Sequence, residues 1–320
     1  MTGQPLYGID VQKEGMLTAM IVHPPAFGMK LKSVDAAAAE AMPGIRKVVT
    51  INADKEGVEK QWSDTNAFPE LVAVVGETTW QVMKAKKALQ GEWERTSPAE
   101  DSAAHATALE ELMATTPDEA ARKDGDPAAA FAGADQVLER TYTAPFLAHN
   151  TMEPMNFYAN VKADAVELEG PIQTPEFLRP TVAGLTGVAP ENVSIMMTRM
   201  GGGFGRRLYG NFGVEAALIS QAVNAPVKLI YTREDDMTQG TYRPDYRVTY
   251  RAALDANKNL IGFHVKGSGT NGSPVFANRF PAGTIDFLDQ MIRTNAGNVS
   301  TQADTSLTRI SPPSYASIPN

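Results

Sequence analysis

The sequence of 320 residues contains no cysteine. Disulfides, thiolate metal sites, iron–sulfur ligation and a cysteine nucleophile are therefore excluded within the chain, since each needs a thiol. Histidine is nearly as scarce. His23, His105, His149 and His264 are the four present and lie far apart, so no metal site made of clustered imidazoles is expected. Basic residues are in deficit, 29 against 37 acidic, giving a formal charge of −8 and a pI near 5.2. The basic stripe of a nucleic-acid binder is missing, and nucleic acid is not an expected partner. No apolar run approaches the ~18 residues of a membrane-spanning helix. Residues 1–7 lack the basic and apolar stretches of a signal peptide. None of these absences assigns a compartment. What is there is ordinary for a folded protein: 43% apolar and 21% charged residues, enough for one large domain or two of moderate size.

The pattern predicts a mixed α/β chain of the α+β kind, in three parts. Residues 1–95 alternate strand-like and helical segments, with strands at 16–23, 45–51 and 71–75, a short helix capped by Ser33 over 34–41, and a helix over 78–89. Residues 96–133 are rich in Ala, Thr, Asp and Pro and read as a surface linker with short helical stretches at 107–113 and 127–131. A second domain is expected over 134–320. It has strands at 137–142, 157–161, 165–168, 193–200 and 227–231, an amphipathic helix at 211–223, and a hairpin pairing 246–253 with 260–266. Residues 174–185 suit a short helix that tolerates Pro180 poorly.

The strongest local motif is Gly201-Gly202-Gly203-Phe204-Gly205-Arg206-Arg207, between a strand and a helix. Glycines let the backbone turn sharply and approach a ligand closely. Strand–turn–helix geometry aims amide N–H groups at an anion or oxo group, and Arg206 and Arg207 would add forked donors for phosphate. The same pattern equally suits a packing turn between sheets. Two nucleotide readings fail by counting: GxGxxG needs glycine at Arg206 or Leu208, and no Gly-Lys-Ser/Thr triplet completes a P-loop. His149 and Glu153 stand at i and i+4, but Pro154 disfavours a helix there, so a buried, hydrogen-bonded pair is the expectation over a metal site. Gln173 lies between Pro171 and Pro175. A stiffened amide of this kind can donate to an oxo oxygen or simply complete a turn.

In their order along the chain these segments resemble the molybdopterin-binding large subunit of molybdenum hydroxylases, of the isoquinoline 1-oxidoreductase β-subunit and aldehyde oxidase–xanthine dehydrogenase type. The resemblance rests on Tyr7-Gly8-Ile9-Asp10 with Gly15-Met16-Leu17, on residues 142–149, and on Met152-Glu153-Pro154. It continues through Gln173-Thr174-Pro175, residues 201–207, Thr232-Arg233-Glu234-Asp235-Asp236-Met237 and Tyr242-Arg243-Pro244. It implies that 1–95 is a hammerhead-like domain and that 134–320 is the first molybdenum-cofactor-binding domain, truncated at its C-terminal end. By the same resemblance Gln173, Gly202, Gly203, Phe204, Gly205 and Arg206 bind molybdenum–molybdopterin, in its cytosine dinucleotide form. The resemblance also implies that the metal is held by the pterin dithiolene with no protein ligand.

The implied parent hydroxylates a small aldehyde or N-heterocycle, takes oxygen from water, and passes electrons to a [2Fe–2S] small subunit. Family members are considerably longer and carry their catalytic glutamate in a Gly-x-Gly-Glu segment, which does not occur here. The chain is accordingly expected to contain no catalytic residue, to be inactive alone and to lack the cofactor when isolated. A non-catalytic assembly module derived from the same family is the alternative.

Overall fold

Segments apolar at nearly every position need cover on both faces of a sheet, and 71–75 and 227–230, the latter with Lys228 as its one polar residue, are of this kind. In a computed structural model both are interior strands. The structure describes residues 3–26, 28–55, 58, 68, 70–96, 102–114, 122–238, 242–243, 245–269 and 303–307. Along the chain run β1 (Leu17–Val22), β2 (Met29–Asp35), α1 (Ala37–Glu40), β3 (Ile45–Asn52), β4 (Glu70–Gly76), α2 (Thr79–Ala88) and β5 (Gln90–Arg95). Then come α3 (Ser102–Ala114), β6 (Arg122–Asp124), α4 (Pro127–Ala132), β7 (Gln136–Ala144), β8 (Asn156–Val161), β9 (Val166–Gly170) and α5 (Pro175–Thr186). The last elements are β10 (Val193–Met197), α6 (Asn211–Val223), β11 (Val227–Ile230), α7 (Arg233–Thr238), β12 (Tyr246–Leu254), β13 (Leu260–Gly269) and β14 (Ala303–Leu307). The class is mixed α/β. Among the described residues no helix is long and apolar enough to cross a membrane.

Two compact units share the chain. The first takes residues 1–99 and 148–241, the second 100–147 and 242–320. The first is built on a seven-stranded sheet of order β10-β9-β8-β11-β1-β4-β3. Its strand β1 pairs in parallel with β11 and antiparallel with β4. Strand alternation then sorts the side chains by face. Ala19, Ile21, Leu71, Ala73 and Val75 enter one core together with Phe157, Leu178, Phe212 and Ile219, while Met20, Val72 and Val74 enter another with Val82 and Ala85 of α2. The amino group of Lys228 donates to Ile9 O and Val11 O, both at 2.9 Å, and fastens the N-terminal segment to β11.

The second unit carries a five-stranded sheet of order β6-β14-β13-β12-β7. The expected hairpin is there: β12 and β13 pair antiparallel, and Asp255 Oδ1 accepts from the N–H groups of Asn257 and Asn259, each at 2.8 Å. Helix α3 lies on β13, where Ser268 Oγ donates to Leu109 O at 3.0 Å.

Several boundaries differ from the sequence expectation. The grouping of strands by contact runs across residues 95 and 133, because hydrogen bonding between β1 and β11 ties the N-terminal strands into a sheet completed by residues 156–230. Residues 96–133 hold α3, β6 and α4, and β6 is a sheet strand, parallel to β14. Residues 34–35 are extended, since β2 pairs with β5 through Asp35↔Gln90, so the short helix starts at Ala37 and Ser33 does not cap it. Beyond Gly269 only residues 303–307 are among the described residues.

Candidate functional site

Strand β10 ends at Met197, and the glycine-rich turn follows before α6 begins at Asn211. Gly202 and Gly205 have φ of 102° and 90°, which L side chains rarely adopt, and Phe204 takes the left-handed region at φ 51°. The Phe204 ring is 61% exposed. Among the described residues the N–H groups of Gly202, Gly203 and Gly205 have no acceptor. Gln173 comes against this turn. Its backbone N–H donates to Arg207 O at 2.9 Å, and a β-carbon at Gly203 would stand 2.8 Å from Gln173 Oε1. Thr174 Oγ1 donates to Leu208 O at 2.8 Å and staples the second end of the contact. The fold thus brings together Gln173, Gly202, Gly203, Phe204 and Gly205. His149 joins them: a β-carbon at Gly205 would lie 3.9 Å from its Nε2.

Beneath the turn sits Glu153, 7% exposed and outside any helix. Its Oε1 accepts from Ile9 N at 3.0 Å and Asn156 Nδ2 at 2.9 Å, and its Oε2 from Gly201 N at 2.8 Å. Arg207 completes the anchor. Its Nη2 reaches Glu153 O at 2.8 Å and Oε2 at 3.3 Å, while its Nε donates to Gly202 O at 2.8 Å. Burial lowers the Arg207 pKa to about 10, against the pull of Glu153. The buried, bonded Glu153 agrees with the sequence reading of that residue.

Arg206 and Arg207 require a correction. The sequence reads them as forked donors for phosphate beside the turn, whereas they are 2% and 0% exposed. A guanidinium goes inward only where acceptors wait for it, and those acceptors, Glu153 and Asn211, come from other segments. Arg206 Nη1 donates to Asn211 Oδ1 at 3.0 Å, but its Nε and Nη2, and Nη1 of Arg207, are buried without a protein acceptor.

Behind Arg206 the polar network continues into α6. Asn211 Nδ2 donates to Glu215 Oε1 and to Tyr231 Oη, both at 3.2 Å, and Tyr231 Oη–H donates to Glu215 Oε2 at 2.6 Å. Glu215 is 2% exposed, and burial pushes its carboxyl up to about 7, with Tyr231, Asn211 and Arg206 acting against the shift. Burial and then Glu215 raise the Tyr231 phenol well above its usual range. The Tyr231 ring meets His23 edge-on at 5.2 Å between centroids. His23 Nδ1 stands 3.5 Å from Asp235 Oδ1, and Lys86 donates to Asp235 Oδ2. Burial alone would raise the Asp235 pKa, but His23 and Lys86 hold it below the usual carboxylate range. Sequence reading misses this network. The one signal for it is Glu215 itself, a lone charge in an otherwise uncharged helix.

A family model described as a molybdopterin cofactor-binding domain matches residues 112–307, more than half of the chain. The chain belongs to that family. Over 291 residues it is 30% identical to the membrane-bound aldehyde dehydrogenase (pyrroloquinoline-quinone) of Gluconacetobacter polyoxogenes, covering 89% of this chain and 36% of that protein. It is 31% identical over 265 residues to the isoquinoline 1-oxidoreductase subunit beta of Brevundimonas diminuta, covering 79% and 32%. Among solved structures, the aldehyde oxidoreductase of Desulfovibrio gigas shares the fold with a TM-score of 0.60 at 21% identity, over 79% of this chain and 31% of that one. The chain therefore spans about a third of these relatives, and the resemblance to molybdenum hydroxylase large subunits read from its motifs is borne out.

The site of this molybdopterin-binding-domain chain suits such a group on its own chemistry. An acceptor-rich cofactor needs donors without protein partners and a backbone bare of β-carbons, and the glycine turn supplies both. No cluster of His, Asp or Glu able to hold a bare metal ion occurs among the described residues.

Proposed function

We propose that the chain forms the part of a molybdenum hydroxylase large subunit that holds the molybdopterin cofactor, and that Gly202, Gly203, Phe204 and Gly205 face the cofactor with Gln173 beside them. The observation that carries this reading is the packing of Gln173 against Gly203, which places a side-chain amide next to the N–H groups of Gly202, Gly203 and Gly205, which have no acceptor among the described residues. Arg206 supports the turn from behind and lends its unpaired donors to the field there. When bound, the cofactor supplies the metal that exchanges electrons and oxygen with substrate. The chain's own residues bind and orient it, and none of them is assigned a catalytic role.

The proposal extends to the cytosine dinucleotide form of the cofactor, to a small aldehyde or N-heterocycle as substrate, and to a [2Fe–2S] subunit as partner. In this reading residues 1–95 are the hammerhead-like portion and 134–320 the cofactor-binding portion. Since the longer relatives extend well beyond this span, the chain alone is expected to be inactive and to purify without molybdenum. Titration with molybdopterin, followed by pterin fluorescence, tests the cradle. Weak binding is expected for the chain and none for Gly203→Val, with circular dichroism unchanged. Equal binding by both proteins overturns the site assignment, and stoichiometric molybdenum in the isolated chain overturns the need for further polypeptide.

A further inference from the structure

The ring of hydrogen bonds among Asn211, Glu215 and Tyr231 lies outside the proposed cofactor contacts, yet it ends on Arg206 at the foot of the glycine turn. We propose that Asn211, Glu215 and Tyr231 are positioning residues that hold the turn through Arg206, and that gain of a proton by Glu215 releases it. The inference follows from counting donors and acceptors. With Glu215 ionised, its two oxygens accept from the Asn211 amide and the Tyr231 hydroxyl, which orients Asn211 so that Oδ1 points at Arg206 Nη1. Every member of the ring is satisfied.

A proton on Glu215 breaks this pattern. On a free lone pair of either oxygen it is a further buried donor that the ring's bonds do not serve, and on a lone pair already in use it opposes the donor there. On the used lone pair of Oε1 it opposes the Asn211 N–H, and turning the amide over to accept it sets Nδ2 against Arg206 Nη1, donor against donor. On that of Oε2 it opposes the Tyr231 O–H, whose proton then has no acceptor in the ring. An unmade bond at a buried site is costly, and Arg206 already has two nitrogens without acceptors. The least costly relief is at the end of the network that borders solvent, the turn with its exposed Phe204. The charged and titratable groups around Glu215 are Arg206 from the turn, Tyr231 after β11 and Asp235 of α7, with His23 and Lys86 behind Asp235. The low pKa of Asp235 keeps that charge constant through the neutral range, and burial brings Glu215 into it.

This inference concerns the chain without ligand, so it stands or falls separately from cofactor binding. The test is hydrogen exchange of the peptide covering residues 201–207 between pH 5.5 and 8.5, roughly one and a half units either side of neutrality, after correction for the intrinsic pH dependence of amide exchange. Protection is expected to fall by about fivefold or more on the acid side, the factor that one unmade buried hydrogen bond is worth. Peptides from β4 are expected not to follow it. In Glu215→Gln the corrected profile is expected to be flat. Tyr231→Phe, which removes one donor to the carboxylate, is expected to move the midpoint to higher pH. A flat profile in the unsubstituted chain overturns the proposal, as does a midpoint unchanged in Tyr231→Phe. A purely structural network would weaken in the variants without any change of midpoint.

Discussion

Glu153 serves four donors from three separate parts of the chain: Ile9, Asn156, Gly201 and Arg207. Removing it leaves Arg207 as a buried cation without its carboxylate, a defect that costs about 3–5 kcal/mol. Glu153→Ala is expected to lose stability of that order in urea denaturation, and Glu153→Gln distinctly less, because an amide oxygen still accepts. Equal losses would mean that the charge is unimportant. Glu215 gives a pH signature. Its folded pKa of about 7 lies above the unfolded 4.5, so its contribution is fully present below the unfolded value and is lost as pH rises to the folded one. Relative to Glu215→Gln, the chain should lose roughly 3 kcal/mol between about pH 4.5 and 7. Asp235, with its lowered pKa, acts in a lower window and leaves this one clear. Global stability and protection of the glycine turn are thus expected to move in opposite directions with pH.

At the scale of elements, legibility depends on how local the determining force is. Helix α6 and its N-terminal boundary were readable, because Asn211–Val223 carries its apolar spacing and its flanking glycine within the segment. Strand β4 was readable from an uninterrupted apolar run. Strand β2 was not: Met29–Asp35 has alternating exposure and owes its conformation to β5, some 60 residues on. The same distance effect hid the inward course of Arg206 and Arg207, because charges flanking a glycine turn face water unless a remote acceptor such as Glu153 lies beneath them. Gln173 was legible through its flanking prolines, although its contact with Gly203 is a property of the fold. Helix α5 offers a test of local force alone. Pro180 is exposed inside Pro175–Thr186 and provides no N–H for the bond to Glu176 O. Pro180→Ala is expected to raise stability by about 1–2 kcal/mol, the helix penalty of proline less the entropy it removes from the unfolded chain. A lower thermal midpoint would show that Pro180 fixes a bend the core needs.

At the scale of the molecule, the placement of β1 governs the first unit. Leu17, Thr18 and Ala19 pair with Val227, Lys228 and Leu229, and β4 and β3 join the sheet only by way of β1. Strands β1, β3 and β4 are therefore made well before β11, the strand that joins them to the rest of the sheet. Between Gly76 and Ile230 a ribosome adding 5–20 residues per second needs roughly 8–30 s, and during that interval one long edge of β1 has no neighbour. Exposed edges of this sort invite foreign strands, so nascent chains of intermediate length should be chaperone clients. A chain ending at Ala225 is expected to show no cooperative unfolding transition although it retains β1, β3 and β4, whereas one ending at Thr241 should show a transition. If the shorter chain unfolds cooperatively, the N-terminal strands are self-sufficient and their docking is a late, optional event. Otherwise, translation speed across residues 76–230 becomes a determinant of yield, and slow codons there would prolong the hazard.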